Sequence, residues 1–155
     1  ECYGTYTSVA DAYGIDVPFK PIHQFDYYNQ RLDVLKDSIK PLNVKIVYQR
    51  PCSNRLCPQT DKVLDEIFEK IGAERVARKY DRQNALCCGG VPRAHQREEL
   101  ADELVDKNIN DMLSVGATYC VFNCPFCMAT LGQEVAEKGL MPILVSDLVQ
   151  IALGE

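Results

Sequence analysis

Eight cysteines stand in this chain of 155 residues, and five of them fall into three short groups. Cys52 is followed by 34 residues and then by the adjacent pair Cys87-Cys88; 35 more residues lead to Cys124-Pro125-Phe126-Cys127. Thiolates are soft ligands, suited to iron–sulfur clusters and to zinc. The adjacent pair narrows the choice. Neighbouring Cα atoms lie about 3.8 Å apart and their side chains diverge, which suits ligands reaching two metal atoms better than one compact tetrahedral ion. Gly89 and Gly90, directly after the pair, remove side chains where backbone must pass close to a bulky group. Three plainer readings stand beside this one. Four of the thiolates could form a structural zinc site. The cysteines could pair as structural disulfides. Cys124 and Cys127, spaced C-x-x-C at a helix start, could be a metal-free redox pair, because a thiolate is stabilised there. Against that last reading, the pair lies too near the end of the chain to leave room for the later strands of a glutaredoxin-type fold.

The remaining reactive residues are read more plainly. Cys120 lies in an apolar stretch and is expected to be a core thiol; Cys57 is expected in a loop near the site. Two histidines, His23 and His95, are too few for a His-based metal site. His95, shortly after the glycine pair, is either a surface residue at a helix start or a donor to a cluster sulfur or substrate. Arg50, Arg55 and Arg93 either attract an anionic substrate group or are solvated. Glu98, Glu99, Asp102 and Glu103 read as a solvated face near a helix N-terminus. Tyr3, Tyr6, Tyr13, Tyr27 and Tyr28 are expected to pack in the core or on the surface, or to line an interface to another half of the protein.

The elements that must position the cysteines alternate. Residues 44–48 read as a buried strand, and Pro51 and Pro58 bracket a loop holding Cys52 and Cys57. A helix is expected from about Asp61, with Thr60 as N-cap and Gly72 at its end. Residues 75–80 carry a weak strand signal, and residues 87–90 read as a loop. The periodicity of Leu100, Leu104, Val105, Ile109, Met112 and Leu113 predicts a helix from about Gln96 to Ser114, ended by Gly116. A strand over 118–123 follows, then a helix opening at Cys124 and stopping near Gly139, a strand over 142–145 and a last helix from Asp147. This order predicts an α/β fold: a mostly parallel sheet flanked by helices, with the cysteine loops following strands, where open α/β sheets place their sites. Before residue 42 only one helix is expected, around Tyr27 to Ile39, preceded by irregular chain.

Composition limits the function classes. The chain is 46% hydrophobic and 25% charged, ordinary for a folded protein. A net charge of −5 with scattered Lys and Arg argues against nucleic acid as partner. No apolar run reaches the length needed to span a bilayer, and no signal-peptide pattern is seen. Cysteine-rich but not small, the chain is expected in a reducing, cytoplasmic compartment, reaching a membrane complex only through partners. Starting with Glu1, it reads as a processed chain or a piece of a longer one. An internal echo supports the second reading: Cys2-Tyr3-Gly4-Thr5 resembles Cys127-Met128-Ala129-Thr130, and Pro21-Ile22 with Asp26 resembles Pro142-Ile143 with Asp147. Residues 1–42 are then the tail of an upstream copy plus a connecting segment, and 43–155 a complete second copy.

The pattern C-x34-C-C-G-x34-C-x-x-C, from Cys52 to Cys127, resembles the cysteine-rich CCG domain of heterodisulfide reductase and of related iron–sulfur subunits in succinate:quinone, glycolate and lactate oxidation systems. The family usually carries two copies in tandem, in keeping with the echo. Many relatives in the glycolate and lactate branches lack the first cysteine of the last pair; this chain keeps both Cys124 and Cys127, and so looks more like the heterodisulfide reductase branch. The resemblance implies that Cys52, Cys87, Cys88, Cys124 and Cys127, with Gly89 and Gly90 against the group, hold a non-cubane [4Fe–4S] cluster. It implies an oxygen-sensitive oxidoreductase acting on a small disulfide or thiol, with electrons from flavin and cubane iron–sulfur clusters on partner subunits and an N-terminal CCG copy alongside. Zinc is the expected substitute if the cluster is lost. The family often has His beside its first ligand; here the stretch reads Gln49-Arg50-Pro51-Cys52-Ser53-Asn54-Arg55, so other disulfides, thiols or a pure electron relay stay open.

Overall fold

The central strand β1, Val44–Gln49, alternates its apolar side chains between two buried faces. In a computed structural model that describes residues 2–155, the side chain of Cys2 excepted, Ile46 and Tyr48 point into one core and Val47 into a second. Three further strands, β2 (Ala73–Arg75), β3 (Tyr119–Phe122) and β4 (Met141–Leu144), complete a four-stranded parallel sheet of order β2-β1-β3-β4. The register pairs Val44 with Ala73, Gln49 with Phe122 and Phe122 with Leu144. This is the α/β fold that the alternation predicts.

Helices α3 (Gln24–Val34), α4 (Thr60–Lys70) and α8 (Val145–Leu153) cover the first face, with Phe25, Leu32, Leu64, Ile67, Phe68 and Leu148 buried. Helices α6 (Glu98–Leu113) and α7 (Pro125–Glu137) cover the second, through Val105, Ile109, Met112, Leu131 and Val135. A sheet with both faces covered has nearly continuous apolar strands, as β1 and β3 do. The chain leaves β1 toward β2 on one side, then returns to place β3 on β1's other side. The point where the order reverses therefore lies between the C-terminal ends of β1 and β3.

Several boundaries differ from expectation. Thr60 is the first residue of α4 and does not act as a side-chain N-cap; its hydroxyl donates to the Cys57 carbonyl at 2.7 Å. The second strand lies at 73–75, not 75–80; its pairing with β1 runs over Ala73, Glu74 and Arg75 and ends with the Val76 amide donating to the Ile46 carbonyl at 2.9 Å. Beyond it, the Arg78 side chain turns inward to polar partners on other elements. The helix expected over 96–114 is α6; before it lies a short helix that was not expected, α5 (Gly90–Ala94), separated from α6 by a break at Gln96, whose φ is +58°.

The chain before residue 42 is more ordered than expected. Residues 2–12 are continuously helical, running through α1 (Cys2–Gly4), a π-helical turn (Thr5–Val9) and α2 (Ala10–Ala12). An extended stretch then leads through Pro21 and Ile22 to α3, which ends before a 3-10 turn at Lys36–Ser38. Helix, extended stretch and helix follow in the same order as α7, β4 and α8. Phe25 and Leu32 are buried in the same core as α4 and α8, and the amides of Lys40 and Leu42 donate to the carbonyls of Ala152 and Ile71. Among the described residues no helix is long and apolar enough to cross a membrane.

Candidate metal centre

Three loops at the C-terminal edge of the sheet carry the five cysteines. Cys52 opens a 3-10 turn, Cys52–Leu56, directly after β1 and Pro51, and is exposed. Cys124 immediately precedes α7, with Pro125 in the first turn, where proline's missing N–H costs nothing. Cys127 follows one turn later and is buried. These two loops leave neighbouring strands at the point where the strand order reverses, the crevice in which open α/β sheets bind their ligands. Cys87 and Cys88 come from the segment between β2 and α5, half-buried and buried respectively.

Cys87, Cys88 and Cys127 form a row of thiols. Cys88 neighbours both Cys87 and Cys127. The nearness of Cys88, together with burial, pushes the Cys87 thiol well above its ordinary range. The nearness of Cys127 pushes the Cys88 thiol up in the same way. Backbone amides oppose this: those of Gly89 and Val91 face the Cys87 sulfur, and that of Gly90 faces Cys88. Donors of this kind stabilise thiolate once a metal replaces the proton. Among the described residues, no three His, Cys, Asp or Glu side chains converge on a single point fit for one metal ion. Cys87, Cys88, Cys124 and Cys127 border the second core, whereas Cys52 is exposed.

The two glycines also have a packing role that the sequence does not disclose. Gly89 has φ +83°, and a Cβ there would lie 2.7 Å from Val105 Cγ2. A Cβ on Gly90 would lie 2.6 Å from the Phe126 ring and 2.9 Å from Thr130 Oγ1. The glycines thus let the loop settle between α6 and α7 with their amides free to meet sulfur.

Around Cys52 the arrangement is looser. Arg55 Nε donates to the Cys52 carbonyl at 2.9 Å, and Arg50 is paired with Asp61 at 2.8 Å. Arg50 is largely buried in its ion pair, whereas Arg55 is exposed. Beside the turn lies a cavity of about 50 Å³, walled in part by His23, Asn54, Cys57 and Asn123. Asn54 Nδ2 is buried there without a partner, as are Asp61 Oδ1 and the Tyr48 hydroxyl nearby. Roomier hollows lie elsewhere, one of about 610 Å³ lined by Tyr3, Pro21 and Asp26 and one of about 460 Å³ lined by Lys45, Glu69 and Glu74; neither brings a thiol.

Other expectations resolve as follows. Cys120 is fully buried, in hydrogen-bonding range of Met112 Sδ at 3.6 Å, and burial pushes its thiol up to about 12. Cys57 is buried beside the turn. His95 is exposed at the end of α5. Arg93 is tied to Glu98 and Asp102, which with Glu99 and Glu103 form an exposed face. Tyr3 packs edge-on against His23, while Tyr6, Tyr13 and Tyr27 are exposed. The side chain of Cys2 lies outside the described residues. Gln49, Asn108 and Arg78 were not anticipated, although they join the loops of the site. The available signal was Asn108, a polar residue four before Met112 and three after Val105 on the apolar stripe of α6.

A family model for the cysteine-rich domain called CCG matches residues 46–132, more than half of the chain. The chain belongs to this family. The matched span starts inside β1 and ends inside α7, enclosing all three cysteine loops, and membership in a cysteine-rich domain family marks those loops as a metal- or cluster-binding region.

Proposed function

We propose that this chain is an iron–sulfur-binding module of a multi-subunit oxidoreductase resembling heterodisulfide reductase. In this reading Cys52, Cys87, Cys88, Cys124 and Cys127 hold a [4Fe–4S] group of the non-cubane kind. The observation that carries it is that three cysteine loops lie at the same edge of the sheet, by the strand-order reversal, with Cys87, Cys88 and Cys127 as neighbours. The donor set fits the group chemically. It is all sulfur, it is spread along a row instead of gathered at a point, and backbone amides face two of the sulfurs. When bound, such a group would supply electrons one at a time beside sulfur; two such electrons, with two protons, convert a disulfide into two thiols.

The chain's own residues do the rest. Gly89 and Gly90 let the loop approach α6 and α7, and the amides of residues 89–91 hold negative charge on sulfur. Cys52, exposed, is the ligand that can move to close on the group or face an incoming disulfide. Flavin and cubane-cluster partner subunits, a second CCG copy and a small disulfide or thiol substrate belong to the same reading, as does a cytoplasmic location.

The test is iron, sulfide and zinc analysis of protein purified without oxygen, with low-temperature EPR after mild oxidation. About four irons per chain and a non-standard signal, both lost in Cys87→Ser, are the expected result. Stoichiometric zinc with no iron after anaerobic reconstitution overturns the redox reading in favour of a structural zinc module.

A further inference from the structure

The end of β1 carries a glutamine where an apolar side chain would pack, and that residue links two of the cysteine loops. Gln49 is 1% exposed. Its Nε2 donates to the Leu86 carbonyl at 3.1 Å, immediately before Cys87, and to the Arg50 carbonyl at 3.3 Å, two residues before Cys52. Its Oε1 accepts from Asn108 Nδ2 at 2.7 Å, in a fully buried contact 59 residues away along the chain. Asn108 Oδ1 in turn accepts from Arg78 Nη1 at 3.1 Å. Arg78 also donates to the Tyr48 carbonyl at 3.1 Å and to Asp111 at 2.9 Å. The side chain of Arg78 is 1% exposed, and Asp111 balances its charge.

The polarity of this chain of bonds is fixed at one end. An arginine can only donate, so the oxygen of Asn108 must face Arg78 and its nitrogen must face Gln49. The oxygen of Gln49 must then face Asn108, which leaves its nitrogen for the Leu86 carbonyl. No amide in the series can turn over without setting donor against donor or oxygen against oxygen. The segment 76–86 has no strand partner along most of its length, yet its end is held at one height above the sheet.

We propose that Gln49 is a positioning residue for the cysteine centre, setting the spacing between the Cys52 turn and the Cys87-Cys88 loop under the polarity imposed by Arg78 through Asn108. The proposal rests on the cluster reading for its consequence but not for its geometry, so it is tested in both metal-free and reconstituted protein. Two variants serve: Gln49→Met, close in volume but unable to bond, and Asn108→Asp, which keeps the bond to Arg78 and removes the donor to Gln49.

In metal-free protein, alkylation rates of Cys87 and Cys88 by mass spectrometry should rise several-fold relative to Cys52 in both variants, with Cys120 still protected as proof of folding. In anaerobically reconstituted protein, iron retention against a chelator should fall about 10–100-fold, the range for residues that orient metal ligands, and the EPR g-values should shift. Unchanged alkylation ratios overturn the positioning role, whatever metal the wild type takes. Wild-type retention and g-values in folded variants overturn it too. If the wild type takes only zinc, the cluster reading fails alone and the alkylation ratios still decide for or against Gln49. If Gln49→Met exposes Cys120, Asn108→Asp decides by the same two readouts.

Discussion

The loop bearing Cys87 and Cys88 and the turn bearing Cys52 sit at the same edge of the sheet but are held in different ways. The first is fastened across the molecule: Gln49 holds Leu86, Val105 and Ala101 crowd Gly89, and Phe126 and Thr130 crowd Gly90. The second is fastened mainly to its near neighbours in sequence. Its bonds run from Asn54 to Pro51, Cys57 to Asn54, Thr60 to Cys57 and Arg55 to Cys52, with the Arg50–Asp61 ion pair spanning only eleven residues. It also keeps unpartnered polar atoms on Asn54 and Asp61. Long-range fastening fixes a ligand before the metal arrives. Local fastening leaves a ligand free to adjust, at the cost of ordering it on binding.

The largest effects should separate the two directly. Cys88→Ser removes the middle of the thiol row and should abolish iron binding in anaerobic reconstitution, while Cys52→Ser should keep part of the iron with an altered EPR signal. Equal and complete loss in both variants would erase the distinction. Backbone space gives the next contrast. Gly89→Ala and Gly90→Ala should each lower stability by about 1–3 kcal/mol through strain and overpacking. Gly4→Ala, on the Cys52 side, places its Cβ 3.8 Å from Leu56 and 3.9 Å from Cys57 Sγ, ordinary contact, and should stay within about 0.5 kcal/mol. Urea unfolding of the three variants decides.

Thiol reactivity in metal-free protein at pH 8 should follow burial. Cys52, exposed, is alkylated first and Cys120, fully buried, last, because the reagent must reach the sulfur. A Cys88 as quick as Cys52 would mean that its loop is not preset. The smallest effect concerns pH. Burial holds the His23 imidazole below its usual range, and its Nδ1 accepts from the Phe25 amide at the start of α3. The folded chain then binds fewer protons than the unfolded one below about 6.5. His23 therefore costs stability as pH falls through that value, and the segment beside the Cys52 turn should loosen first. Hydrogen exchange at pH 7.5 and 5.5 should show this over 23–28 but not over 86–90, and His23→Asn should remove the difference.

Much of this architecture was legible in the sequence, for physical reasons. β1, β3 and α4 announce themselves because both-face burial demands apolar runs and a helix on a sheet demands a stripe. The cysteine loops were legible because thiols at such spacings have few other uses. The helix over 2–12 was not, since its buried positions are the small Gly4 and Ala10 while Tyr6 and Val9 point to solvent, which leaves no stripe to read. β2 was misplaced because Val76 and Tyr80 alternate like a strand, whereas Arg78 between them is drawn into the molecule by Asp111, Asn108 and Tyr48. The bond between Gln49 and Asn108 joins residues 59 apart, and no local pattern encodes such a meeting.

The edge strand β4 carries a further consequence. Met141 donates its amide to Thr118, so along this parallel strand residues 141 and 143 face β3 while position 142 faces outward. Position 142 is Pro, which has no N–H to offer. A strand from another molecule approaching that open edge meets a gap in the row of donors and cannot extend the sheet in register. One residue thus blunts the β4 edge of a sheet that is apolar on both faces against pairing with another molecule.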